Sequence, residues 1–139
     1  MSSTQLYNTQ VLGLATSLAA FPLSADLPLR GAARSATCGS MIELGLDRDI
    51  TGKITRVGLR AQACAIGQAA AAIFAAAAPG TDRAGVAASL AEIEQWLAGS
   101  ELPTWPGFEA IAPARAYPAR HGAILLGWRA ALVALAVRG

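Results

Sequence analysis

Hydrophobic positions along the chain change period twice, and each change marks a change of element. Over residues 5–19, Leu6, Val11, Leu14 and Leu18 fall near one face of a helix. Residues 21–32 carry Pro22, Pro28 and Gly31 and read as a connector. The run Ser35-Ala36-Thr37-Cys38 is short and β-like, and from Met41 the period becomes two, with Ile42, Leu44 and Leu46 on one face. Residues 47–52 form a turn. Lys53 to Ala63 then alternates again, with Val57, Leu59, Ala61 and Ala63 aligned. Two alternating runs around a Gly-containing turn predict a hairpin. Together with the shorter run before them, they predict a three-stranded antiparallel sheet.

Beyond the sheet the pattern is helical. Ile66, Ala70, Ile73, Phe74 and Ala77 form a stripe over 65–78 that stops at Pro79-Gly80. Thr81 is positioned to cap a helix over 82–98, with Asp82 in its first turn, Val86, Leu90, Ile93 and Leu97 on its face, and Gly99 at its end. Residues 100–118 hold Pro103, Pro106, Pro113 and Pro118 and read as irregular. A last helix over 122–137 carries Ile124, Trp128, Leu132 and Leu135. Helix, sheet, then helices predicts an α+β fold with the helices on one face of an antiparallel sheet.

Composition narrows the class. With 139 residues the chain fits one domain, 1–139. Hydrophobic residues make up 54%, enough for a core and too many for a disordered chain. Charged residues are only 14%, which points to a membrane protein or to a chain rich in small residues. The two uncharged stretches, 1–25 and 61–81, are interrupted by Pro, Gly, Gln and other polar residues, and the second is mostly Ala. A spanning helix needs about 20 mainly apolar residues, and the first stretch lacks the basic start of a signal peptide. The expectation is therefore a soluble, cytoplasmic protein without a membrane partner. A net charge of +2 does not call for nucleic acid, and the Arg residues are not interleaved with aromatics that could stack on bases.

Few residues can carry chemistry. Phosphate-binding GxxxxGK[ST], GxGxxG and GxSxG patterns are absent. Asp82, Glu92 and Glu94 read as a solvated helix face. Nothing marks a serine that would complete a triad with His121. Two Cys and one His remain, too few for a four-Cys zinc module. Cys38 precedes Gly39-Ser40 at a break between β-like runs. Cys64 falls where a strand gives way to a helix, and unpaired N–H groups at a helix start favour a thiolate. His121 precedes the last helix. All three lie at element ends, and thiolate with imidazole suits Zn²⁺ or iron–sulfur chemistry. The plainer alternatives are two small buried core thiols and a surface histidine.

The motifs Cys38-Gly39-Ser40 and Ala63-Cys64-Ala65-Ile66-Gly67-Gln68-Ala69, separated by one hairpin, resemble the U-type (NifU/IscU/SufU) iron–sulfur cluster assembly scaffold family. The resemblance extends to Tyr7-Asn8 and to Arg120-His121-Gly122-Ala123-Ile124-Leu125-Leu126. It implies a three-stranded sheet covered by helices, a shallow site, and assembly of a [2Fe–2S] cluster, or iron binding, with sulfur taken from a cysteine desulfurase and passed on to apo iron–sulfur acceptor proteins. Zinc is the alternative metal. The protein so implied is not an enzyme in the turnover sense. Cys38 and Cys64 take the family's first two cysteine roles, as metal ligands and sulfur acceptors. Ser40 stands in place of the family's Asp and would be a weak ligand. The third family Cys is missing: His121-Gly122 stands there, making His121 the replacement ligand. The long Cys64–His121 stretch is closer to the SufU branch. The alternative functions are a zinc-dependent sulfur-transfer accessory and a scaffold-fold interaction module without metal. After Glu109 the chain has no acid, and Arg115, Arg120, Arg129 and Arg138 read either as solubilising charge or as a positive rim for an acidic partner.

Overall fold

The computed structural model describes residues 7–36 and 39–136. Its first element is α1 (Thr9–Ser17), capped by Asn8, whose side chain accepts from the Val11 N–H at 2.9 Å. Val11 is buried, and Leu14 and Leu18 pack against the core as the helical stripe predicts. Leu6 lies outside the described residues. The helix ends earlier than the pattern suggests and passes into a 3-10 turn, Leu18–Ala20.

The sheet contains β1 (Leu29–Arg34), β2 (Met41–Arg48) and β3 (Ile54–Gln62) in the order β1-β2-β3, antiparallel throughout. Ile42, Leu44 and Leu46 are buried on one face, with Leu29 and Leu59 beside them. The β2–β3 turn is organised by Asp49, whose carboxylate accepts from the Thr51 hydroxyl at 2.6 Å and from the Thr51 and Lys53 N–H groups at 2.9 and 3.1 Å. These bonds, the Thr51 hydroxyl first, hold the Asp49 carboxyl below its ordinary value.

The first strand corrects the sequence reading. It spans Leu29–Arg34, and Gly31, read as part of a connector, lies inside it; of the run read as β-like, Ser35 and Ala36 are not in a strand, and Thr37 and Cys38 lie outside the described residues. The role of Gly31 is close approach rather than turning. A Cβ at residue 31 would sit 2.1 Å from the Ala130 carbonyl oxygen and 2.7 Å from the Ala134 nitrogen, so a helix backbone presses directly on the strand there. Neither atom is the movable end of a side chain. Gly31→Ala is therefore expected to destabilise by about 1–3 kcal/mol or more, seen as a lower urea midpoint at unchanged m. Gly13, on the exposed side of α1 with nothing within 4 Å of its Cβ position, is the control. There, alanine should stabilise by roughly 0.5–1 kcal/mol.

α2 (Ala65–Ala77) runs through the middle of the molecule, with Ile66, Ala69–Ala72, Ile73, Phe74 and Ala75 all buried. Burial on almost every side explains its alanine content: α1, β3 and the C-terminal elements all pack against it, and only small side chains let them come close. α3 (Arg83–Leu97) is capped by Asp82, one residue later than the Thr81 cap expected, with the Asp82 carboxylate accepting from the Gly85 N–H at 2.9 Å. The Pro-rich stretch is not wholly irregular, since Phe108–Ala116 winds as a 3-10 segment followed by a short turn, Pro118–Arg120. The last helix is broken at Leu125 into α4 (His121–Ile124) and α5 (Leu126–Leu135). Trp128 sits at the centre of an aromatic cluster, with ring centroids 5.3 Å from Phe74 and Trp105 and 5.5 Å from Phe108. Among the described residues, no helix is long and apolar enough to cross a membrane.

Candidate functional site

Strand register brings the first two parts of the site together. Arg34 pairs with Met41, and Met41 with Gln62, forming the last row of the sheet. Beyond that row, on one side, lies the β1–β2 loop. On the other, two residues past Gln62, lies Cys64. The loop is tight: the Ser35 N–H donates to the Ser40 carbonyl at 2.8 Å and the Gly39 N–H to the Ser35 carbonyl at 3.1 Å. Gly39 has φ +71, a left-handed conformation that favours glycine. Ser35 and Ser40, on either side of the undescribed pair 37–38, are buried. Cys38 itself, with Thr37, lies outside the described residues.

Cys64 is the N-cap residue of α2, with extended backbone (φ −64, ψ 170), and its side chain makes no capping bond. The thiol is free and half-buried. Its carbonyl accepts the Gln68 N–H at 2.9 Å, and the Gln68 side-chain amide donates to the Ala63 carbonyl at 2.9 Å. The strand-to-helix junction is thus tied on both sides of the cysteine, leaving the sulfur uncommitted.

His121 reaches the same end through helix packing. A Cβ at Gly67 would lie 3.1 Å from the Ala123 Cβ, and one at Gly127 would lie 3.1 Å from the Phe74 Cβ. Moving from 67 to 74 along α2 matches moving from 123 to 127 along the last helices, so the two run side by side in the same direction. Their starts, Cys64 and His121, therefore lie at one end of the pair. Gly67 is what permits this approach, and in the sequence it is hidden within the Ala-rich run.

The His121 ring is held from behind. Its Nε2 lies 2.7 Å from the carbonyl oxygen of Arg115, near the end of the 3-10 segment. Of the arginines read as a positive rim, Arg129 is engaged with Glu94 at 3.6 Å, and Arg138 lies outside the described residues. Arg115 and Arg120 form no salt bridge among the described residues, and neither does Arg34 in the terminal row of the sheet, a cation the sequence reading had not singled out. The carboxylates of Asp47 and Asp49 lie at the opposite end of the sheet, in the β2–β3 turn. Among the described residues no three His, Cys, Asp or Glu side chains form a metal-holding group. Cys64 and His121 are the one cysteine and the one histidine among the described residues.

No family model and no curated protein matches the sequence. Solved structures do match its fold. A NifU-like protein (N-terminal) from Brucella abortus superposes with a TM-score of 0.86 at 24% identity, over 96% of this chain and 94% of that one. A protein assigned as an iron–sulfur cluster assembly scaffold for the SUF system, from the thermophile Fervidobacterium islandicum AW-1, gives 0.80 at 18% identity, over 96% and 99%. The fold is thus the U-type scaffold fold implied by the motifs around Cys38 and Cys64. Three antiparallel strands with helices packed on them are what this chain shares with these two structures.

Proposed function

We propose that this protein is an iron–sulfur cluster assembly scaffold that holds iron or a [2Fe–2S] cluster as cargo, takes sulfur from a cysteine desulfurase and passes the product to apo iron–sulfur proteins in the cytoplasm. The observation that carries this reading is convergence. On a fold shared with scaffold proteins, the β1–β2 loop, Cys64 and His121 come from three separate parts of the chain to one end of the molecule. The donor set fits the cargo: two thiols, Cys38 and Cys64, with one imidazole, suit iron or Zn²⁺, and Ser40 adds a weak oxygen at the edge.

The residues divide the work. In sulfur transfer, the Cys64 or Cys38 thiolate attacks the terminal sulfur of the donor's persulfide. A new S–S bond forms, the donor's S–S bond breaks, and the donor leaves as a thiolate. His121 cannot accept sulfur and acts as ligand only. Arg34, Arg115 and Arg120, which form no salt bridge among the described residues, offer positive charge to a persulfide or to an acidic partner surface. The chain itself turns nothing over.

The second reading, a zinc-dependent sulfur-transfer accessory, is favoured by the ligand count: two Cys and one His make a three-ligand tetrahedral site with one open position. Iron and acid-labile sulfide measured on anaerobically purified protein test the proposal. Iron and sulfide in equal amounts support the scaffold. One zinc per chain selects the sulfur-transfer accessory, and absence of any metal after reconstitution selects an interaction module.

His121→Ala should leave the metal or cluster bound but labile, lost on desalting, because water or Ser40 can take the vacated position. It should also cost about 1 kcal/mol of stability, since the Arg115 carbonyl loses its partner. Metal retained per chain through a desalting column reads the first effect, and the urea midpoint reads the second.

A further inference from the structure

We propose that the Arg115 carbonyl holds His121 in its Nε2–H form, so that Nδ1 is the lone pair the histidine offers to the site. The proposal rests on the scaffold reading for what Nδ1 would bind, but not for the tautomer itself. A backbone carbonyl carries no proton and can only accept. At 2.7 Å, His121 Nε2 must therefore be the donor in that bond. In a neutral imidazole the other nitrogen then carries the lone pair.

The geometry behind the bond is built into the chain. Phe108–Ala116 is a 3-10 segment that ends at Tyr117, and the residue three positions on from Arg115, whose N–H would continue the 3-10 ladder, is Pro118, which has none. The Ala114 carbonyl is taken by the Tyr117 N–H, and the Tyr117 carbonyl by the Arg120 N–H. The Arg115 carbonyl between them is taken by the His121 ring. Pro113 within the segment fixes the backbone just before it. Arg115 is thus a positioning residue through its main chain, and its side chain remains exposed. Metal-binding histidines commonly donate their second ring N–H to a carbonyl in this way, which fixes both tautomer and ring orientation. Binding through Nδ1 would keep the Arg115 bond, whereas binding through Nε2 would have to break it.

The chain has one histidine, so its imidazole can be read without assignment ambiguity. The experiment is a long-range ¹H–¹⁵N correlation spectrum of the reduced, metal-free protein labelled with ¹⁵N-histidine, at a pH where the ring is neutral. It is repeated after addition of one equivalent of ¹¹³Cd²⁺. The expected result is one tautomer, protonated at Nε2, in the metal-free protein, and a cadmium coupling to Nδ1 after addition. An Nδ1–H tautomer, an averaged pair of tautomers, or coupling through Nε2 overturns the proposal. If cadmium binds the chain and the imidazole signals do not move, His121 is not a ligand. The site reading then fails, while the metal-free spectrum still decides the tautomer.

Discussion

Replacing Trp128 with alanine is expected to cost about 3–5 kcal/mol, a large share of the roughly 5–15 kcal/mol that holds a domain together. Trp128 is fully buried, and its ring touches Phe74 from α2, Trp105 from the Pro-rich stretch and Phe108 from the 3-10 segment. Phe108 in turn meets Trp96 of α3 edge-on at 5.6 Å. One indole therefore links four separate parts of the chain, and no single neighbour can move into the space without leaving another. Trp128→Phe is expected to cost much less. The Trp128 indole N–H has no hydrogen-bond partner among the described residues, so phenylalanine forfeits area but no bond. Trp105 differs, since its indole N–H donates to the Ile73 carbonyl at 2.9 Å. Urea denaturation of the three proteins, wild type, Trp128→Ala and Trp128→Phe, gives the ranking directly.

Cys64→Ala should have the opposite profile: loss of cluster or zinc retention with the fold nearly intact. The thiol is half-buried at the head of α2, packs against the core from its margin, and makes no capping bond. Its removal should cost on the order of 1 kcal/mol or less, comparable to one methylene group. The backbone bonds that fix the junction, Gln68 to the Cys64 and Ala63 carbonyls, do not depend on the sulfur. The proposed ligand set, by contrast, loses one of its two thiolates. His121→Ala is the milder change at the site, and Cys64→Ala the decisive one. Metal content and the urea midpoint, measured on the same preparation, separate the two accounts of Cys64. A stability loss of several kcal/mol with metal binding unchanged would make it a core residue.

Much of the fold could be read from the sequence because the period of its apolar residues reports burial directly. The two-residue alternation through Ile42, Leu44 and Leu46 and through Val57 and Leu59 is the core face of β2 and β3. The stripes of α2 and α3 are their buried sides. β1 was misplaced because a glycine breaks a local pattern in the same way whether it turns the chain or admits a neighbour. At Gly31 the neighbour is α5, nearly a hundred residues away. The aromatic cluster left no local trace for a similar reason, its members being spread over α2, α3, the Pro-rich stretch and α5. At the site, Cys64 was legible because a strand pattern stops and a helix pattern starts at it. What holds His121 was not, since the partner is a backbone oxygen at Arg115, and main-chain atoms have no sequence signature. The parallel packing of α2 with the last helices, which brings His121 to the same end as Cys64, depends on Gly67 and Gly127, two residues without a distinctive pattern of their own.

The central claim, that this end of the molecule holds iron–sulfur cargo through Cys64, is tested most directly by anaerobic reconstitution of the full chain with ferrous iron and sulfide, followed by desalting and visible absorption. The account predicts a sulfur-to-iron charge-transfer band in the wild type, with iron and sulfide co-eluting in equal amounts, and no band in Cys64→Ala. A wild type that elutes colourless and free of iron, or a Cys64→Ala protein that keeps the same band, would contradict it.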